Sequence, residues 1–401
     1  MTIEDAQEMF SQGKFEKAKE SYSKLLTVEP ENYEVIKQLG KIALYSNKFS
    51  EAEELLAKAI ALKSEEREPK LLLVEVYYRQ DEFQKAASVL KQIGEEDQAE
   101  RYESFKEVTP NQIAGNVEST KIKFIQTDPL PVLQVRINDG EPINFTIDTG
   151  ASELVIDTEF AKEVGLKSSH TREGIFAGGK KAAVQIGKID TITLGELTVK
   201  NVPVTFMPVR QFSAPVFGGM QINGIIGSTL FYHFITTMDY VKGELVLRRK
   251  TEANIQQIEE QIENQNIAQI PFWMAGKHFI VAWGKVNKSK PMLFFVDTGL
   301  AGGGFTCSET TIKEAGIELL RDQTRMGSGG GGMVQIIPFI VDDLCLGEFS
   351  EKNIRGFFAG GKPLSEMVGF HIGGIISHTF FRNYALTFDF TKMRLLLQKM
   401  T

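Results

Sequence analysis

Cysteine is almost missing from this chain: Cys307 and Cys345 are the two in 401 residues. Two thiols make no disulfide framework, so a packed core must hold the fold, and a reducing compartment suits that composition. Both are expected to be buried free thiols. Histidine is scarce too. The five at 170, 233, 278, 371 and 378 form no His-Glu-x-x-His and no other ligand spacing, so no metal and no cofactor is expected. No apolar run approaches the roughly 18 residues that a membrane-spanning helix needs. No basic stripe is present to neutralise phosphates, so nucleic acid is not an expected partner. Met1–Phe10 lacks a basic n-region and an apolar h-region. That predicts a cytoplasmic protein from the sequence as given, periplasmic or secreted if a signal peptide was removed.

What is present is an ordinary globular composition, 42% hydrophobic and 24% charged, at a length that predicts two or three domains. The net charge of -7 is unevenly placed. Residues 1–110 hold 16 Lys+Arg and 23 Asp+Glu, while the remaining 291 hold 29 of each. An acidic front region therefore precedes a neutral body.

The front region repeats itself. Gly13-Lys14-Phe15, Asn47-Lys48-Phe49 and Asp81-Glu82-Phe83 recur every 34 residues, each with an alanine three positions after its Phe (Ala18, Ala52, Ala86). Tyr22, Leu56 and Leu90 follow one helical turn later, and Leu39-Gly40 and Pro30 punctuate the first two repeats. The pattern resembles the tetratricopeptide family, two antiparallel helices per repeat, with the small alanine allowing close helix approach. Gly94 is expected to end the last repeat helix and Gln98–Lys106 to form a polar cap. The resemblance implies a module, residues 1–110, that binds a protein partner. A scaffold or dimerisation element is the bland alternative, and its charged face can equally be a solvated one.

Beyond residue 120 short alternating apolar strands with Gly, Asn and Asp turns take over, the mark of β structure. Phe145-Thr146-Ile147-Asp148-Thr149-Gly150-Ala151-Ser152 finds a partner in Leu293-Phe294-Phe295-Val296-Asp297-Thr298-Gly299. The correspondence continues in order: Lys162-Glu163-Val164-Gly165 with Lys313-Glu314-Ala315-Gly316, Leu194-Gly195-Glu196 with Leu346-Gly347-Glu348, Gly224-Ile225-Ile226 with Gly374-Ile375-Ile376, and Met238-Asp239-Tyr240 with Phe388-Asp389-Phe390. Landmarks that keep their order while their offset drifts by only three residues indicate a duplicated lobe. The expected lobes are 120–250 and 267–401, joined by a Gln/Glu-rich stretch, 251–266, read as a linker or a short exposed helix.

Each lobe resembles an aspartic peptidase lobe of the retropepsin–pepsin type, with two apolar residues, Asp-Thr-Gly, and later an apolar-apolar-Gly. The resemblance implies a multidomain chain: an α-helical solenoid, then two mainly-β, closed-barrel-like lobes related by a pseudo-twofold. It implies an endopeptidase acting on peptide or protein substrate. Asp148 and Asp297 would be the catalytic dyad, two carboxylates that resist joint ionisation and so share one proton. Thr149 and Thr298 would lock the two loops together. Gly150 and Gly299 would admit backbone N–H groups to the carboxylates, with Ala151 and Ser152 completing the first loop.

Two departures stand in the second lobe. Leu300 occupies the place of Ala151, and Ser377, followed by His378, the place of Gly227, where added volume meets a tight contact. They keep open a second reading, a lobe pair that binds peptide without cutting it. His378 is expected to pack rather than react. Glycine-rich segments, Gly174–Lys181 with Gly178 and Gly179, and Met326–Met333 with Gly329 and Gly330, fall where flap hairpins belong. A phosphate loop is the competing reading of such runs, but neither has the Gly-Lys-Ser/Thr ending.

Overall fold

A computed structural model of the chain describes residues 2–176, 180–329, 332–360 and 364–399. The chain forms two compact units: one is Met1–Pro110 with Trp273–Lys277 and Leu364–Ile372, the other Asn111–Phe272 with His278–Pro363 and Gly373–Thr401.

The first unit holds three helical hairpins: α1 (Ile3–Ser11) with α2 (Phe15–Val28), α3 (Tyr33–Tyr45) with α4 (Phe49–Leu62), and α5 (Arg67–Arg79) with α6 (Phe83–Gln92). A further helix, α7 (Glu96–Glu103), follows Gly94, which adopts φ +73. The 34-residue repeat has a backbone cause. Gly13, Asn47 and Asp81 each turn the chain with positive φ, at 74, 53 and 59 degrees, residues suited to the left-handed region. The Phe two positions later opens the second helix of each hairpin. Ala18, Ala52 and Ala86 are fully buried, as are Tyr22, Leu56 and Leu90. A Cβ on Gly40 would lie 2.9 Å from Leu56 Cγ, so glycine sets how closely α3 approaches α4.

Two short segments from far along the sequence complete this unit. Phe370 stands edge-on to Phe10 and Phe15, at 6.2 and 5.0 Å between ring centres, and 6.0 Å from Tyr45. Trp273 lies 5.4 Å from Phe15. Buried Arg79 donates to the carbonyls of Met274 (2.9 Å) and Gly276 (2.6 Å), and Lys277 sits 3.9 Å over the Tyr78 ring. The sequence pattern places the helical module at residues 1–110. Its core is in fact shared with residues whose chemistry is local and whose sequence position is remote.

The second unit contains two barrels. In the first, Leu197–Met207, Leu154–Asp157, Gly224–Ile226, Ile143–Ile147, Val132–Ile137 and Lys180–Leu194 pair in that order, and the last strand closes on the first. In the second, Gly332–Leu346, Phe349–Phe358, Phe305–Cys307, Gly374–Ile376, Met292–Val296 and Phe279–Val286 close in the same way. Closure removes open edges, and alternate residues fill each interior.

A second sheet joins the lobes. Its strand order is Ser119–Lys123, Glu244–Arg249, Phe234–Asp239, Tyr384–Asp389, Arg394–Lys399 and Ile267–Ala275, three strands from each half of the duplication. Thr237 and Thr387 pair at its centre, 150 residues apart, with hydroxyls 2.8 Å from one another. The local twofold passes between them. Of the two readings of 251–266, the helix is the one found, over Glu252–Asn264. Nor is it merely exposed. Ile255, Ile258 and Ile262 recur at helical spacing and pack on Ile235, Leu396 and Ile267 of the sheet. Buried Arg394 anchors it through Glu259, and Asn254 Nδ2 donates to the carbonyls of Glu118 (3.2 Å) and Arg249 (3.1 Å).

Candidate active site

Each Asp-Thr-Gly begins where a barrel strand ends. Ile143–Ile147 and Gly224–Ile226 run parallel, as do Met292–Val296 and Gly374–Ile376. Parallel pairing brings the end of each apolar strand beside Ile226 or Ile376. Asp148 N then donates to Ile226 O at 3.1 Å, and Asp297 N to Ile376 O at 3.1 Å. The apolar-apolar-Gly landmark and the Asp are thus neighbours because the backbone pairs them.

The threonines cross between the loops. Thr149 N donates to Thr298 Oγ1 (3.1 Å), Thr298 N donates to Thr149 Oγ1 (3.0 Å), and Thr149 Oγ1 donates onward to Val296 O (3.1 Å). Both side chains are fully buried. A buried network with every member satisfied fixes the loops with little freedom. Gly150 N and Gly299 N each donate to the carboxylate two residues earlier, both at 2.8 Å. A Cβ on Gly150 would overlap the Asp297 carboxyl group, and one on Gly299 the Asp148 carboxyl group. Glycine is required there by the approach of the opposite loop.

That approach sets the Asp148 and Asp297 carboxyl groups close enough to act on one another. Burial raises both above the usual carboxylate range, and Asp297 is raised further by the charge of its partner. Two like groups this close in reduced dielectric resist being ionised together. Neither is sealed off, since each keeps part of its surface accessible.

Ala151 and Ser152 do different work. Ala151 N closes a turn onto Asp148 O (3.1 Å), and its own carbonyl accepts from Ser228 N and Oγ (2.9 and 3.2 Å). Ser152 contributes its carbonyl to Thr229 N (2.9 Å). The second lobe builds this corner differently. Val155 and Thr306 hold matching places against Ile225 and Ile375, so the loop after Asp297 is two residues longer than the one after Asp148. A Cβ at Gly227 would meet Ala151 O at 2.7 Å and crowd Glu153 O. In the longer loop the same place admits Ser377, fully buried, whose Oγ accepts from Leu300 N at 3.1 Å. The expected crowding at Ser377 does not occur: its hydroxyl caps a backbone donor that the added residues create.

The flap segments form hairpins, Ser168–Phe176 against Lys180–Leu194 and Arg325–Gly329 against Gly332–Leu346. Gly329 pairs with Gly332, while Gly178, Gly179 and Gly330 lie outside the described residues. His378 is fully buried and packs, as expected, but it also makes a contact no motif announces. Its Nε2 lies 3.2 Å from Asp128, which also pairs with Arg382. Its ring is 5.3 Å from Tyr240, a buried tyrosine whose hydroxyl is held un-ionised by burial and by the Asp297 charge. Asp128 lies 250 residues before His378, and that separation left no sequence signal. The thiols are free and half-buried, with burial pushing Cys307 up to about 12.

Comparison with known proteins adds the following. Residues 133–230 match the aspartyl protease family model, and residues 9–62 and 43–107 match the tetratricopeptide repeat model. DNA damage-inducible protein 1 of Yarrowia lipolytica is 28% identical over 192 residues, 47% of this chain and 42% of that protein. The chain thus spans less than half the length of this relative. A solved retropepsin-like aspartic protease from Rickettsia conorii is 20% identical over 35% of this chain and 93% of its own, with a TM-score of 0.25. The aspartyl protease match thus falls on the first Asp-Thr-Gly lobe, which the second lobe repeats in order, and the tetratricopeptide match falls on the 34-residue hairpins.

Proposed function

We propose that the chain is an aspartic endopeptidase whose two lobes share one dyad. The observation that carries this is the juxtaposed Asp148–Asp297 pair, set in loops that the crossed Thr149 and Thr298 bonds hold face to face. The ionised carboxyl takes a proton from a water while the protonated one donates to the peptide carbonyl oxygen. Attack gives a tetrahedral diol, and a proton passed to the amine nitrogen releases it as the C–N bond breaks. The substrate is an extended peptide of about six to eight residues, added as a strand beside the flap hairpins. Partly exposed Ala151, Val216, Met220 and Ala301 favour apolar residues next to the scissile bond. The repeats would hold a protein partner beside the peptidase.

Binding without turnover is the second reading, favoured by Leu300 where the first loop carries Ala151. Incubation with a mixed peptide library between roughly pH 4 and 7, read by mass spectrometry, separates the two. Cleavage that disappears in both Asp148→Asn and Asp297→Asn supports the peptidase. Peptide retention without cleavage supports the second reading, and a strict need for charged residues at both adjoining positions argues against the apolar cleft.

A further inference from the structure

Beneath the helix Glu252–Asn264, on the face of the lobe-joining sheet that this helix covers, lies a cavity of about 430 Å³. No residue of the dyad loops lines it. Its floor carries Thr237 and Thr387, its walls Lys121, Lys242, Arg248, Asp239 and Glu244, and its roof Gln261.

The charges are unequally satisfied. Glu244 already holds Lys123 at 2.8 Å, and Asp239 holds Lys242 at 3.4 Å. Arg248 and Lys121 form no ion pair among the described residues. Arg248 Nη1 donates to Thr237 Oγ1 (3.1 Å), a neutral acceptor whose hydroxyl already pairs with Thr387. Glu244 acts on this guanidinium through its charge without forming an ion pair with it; a half-buried guanidinium so weakly compensated is costly, and a planar fork is shaped for a two-oxygen anion. Burial indeed lowers its hold on its proton. The duplication sharpens the contrast: the matching strand position in the second lobe is Gln398, whose amide bonds to Gln265. A neutral side chain serves the fold at one position, so the arginine at the other is not demanded by the strand.

We propose that this cavity binds a small organic anion through a carboxylate or phosphate head seated on Arg248, with Lys121 and the Thr237 and Gln261 side chains around it. Because the roof is the segment between the lobes, occupancy fastens that segment to the sheet and stabilises the folded body by mass action.

The test is thermal unfolding of the full chain titrated with inorganic phosphate and, separately, succinate, each at constant ionic strength set with chloride. A saturable rise in melting temperature with either probe is expected. Arg248→Gln and Gln261→Glu should each weaken apparent affinity by about tenfold or more, while Arg136→Gln, on the exposed surface of the first barrel, should leave it unchanged. Gln261 is half-exposed on the roof, so its variant reports even if Arg248→Gln folds poorly. Which probe saturates identifies the head group. The absence of a saturable rise with both probes, or unchanged affinity in a folded Gln261→Glu or Arg248→Gln, overturns the proposal. No outcome depends on peptide hydrolysis.

Discussion

At the scale of single residues the two lobes are not interchangeable, and the difference can be measured. Gly227 faces the carbonyls of Ala151 and Glu153, where a side chain has no room. Ser377 occupies the matching place in a longer loop and accepts a hydrogen bond from Leu300 N. Gly227→Ser should therefore cost about 3 kcal/mol of stability by overpacking. Ser377→Gly should cost about 1 kcal/mol, the worth of one buried hydrogen bond. Urea unfolding of the two variants checks this, and equal costs would show that loop length does not matter. The dyad itself gives a pH signature. Burial raises both carboxyls above their unfolded values, so the unfolded chain loses these protons at lower pH than the folded one. Their contribution is complete below the ordinary carboxylate range and declines as pH rises through the folded values. Asp297→Asn removes that penalty. It should melt at a higher temperature than the native chain near pH 7, with the gap closing toward about pH 4; a constant gap across that range would contradict it.

Among elements, legibility followed the range of the interaction. The 34-residue hairpins were readable because each is closed by its own left-handed turn residue and its own Phe and Ala, within one repeat. The barrels were readable because duplication printed the same landmarks twice. The helix at Glu252–Asn264 is only half legible: its Gln/Glu content points to exposure, while the Ile255, Ile258 and Ile262 spacing buries one face. The two-residue insertion after Asp297 was visible as a drift in offset, but its pairing with Ser377 needed coordinates. Least legible were Leu364–Ile372 and Trp273–Lys277, because nothing near them in sequence says that they complete a helical core. Phe370 tests this directly. It is 2% exposed and meets Phe10, Phe15 and Tyr45, so Phe370→Ala should destabilise the helical unit by about 3–5 kcal/mol. Met367, on the short helix Ser365–Val368 just before it but 53% exposed, should tolerate alanine within about 0.5 kcal/mol. Thermal unfolding followed by helical circular dichroism measures both. Indistinguishable melting of Phe370→Ala and Met367→Ala would show that the repeats hold their core without the remote segment. The same contact means that removing residues 1–110 uncovers Phe370 and Trp273.

For the whole molecule the question is whether one chain or two make a site. Duplication supplies both halves in one polypeptide, and the sheet that joins them sets three strands of one half beside three of the other, meeting at the Thr237–Thr387 pair. Every crossing bond of the dyad loops, from Thr149 N to Thr298 Oγ1 and back, runs between the first and second half of one chain. Covalent linkage gives the partner lobe an effective concentration that a dissociating dimer lacks. The helix between the lobes adds to this by packing on the joining sheet. A homodimer of first lobes would have to break that sheet, separate Thr237 from Thr387, and bring two copies of Asp148 together. It would also leave the longer Asp297 loop without a role. Mixing two inactive variants decides the matter. Asp148→Asn and Asp297→Asn should each abolish peptide hydrolysis, and an equimolar mixture should remain inactive, because no chain then carries both acids. Recovery of about a quarter or more of native turnover on mixing would require sites assembled from two chains, as would full activity of Asp297→Asn alone. Native activity proportional to protein concentration over a wide dilution range is the matching expectation for a site closed within one chain. Specific activity that collapses on dilution would place the second carboxylate on another molecule.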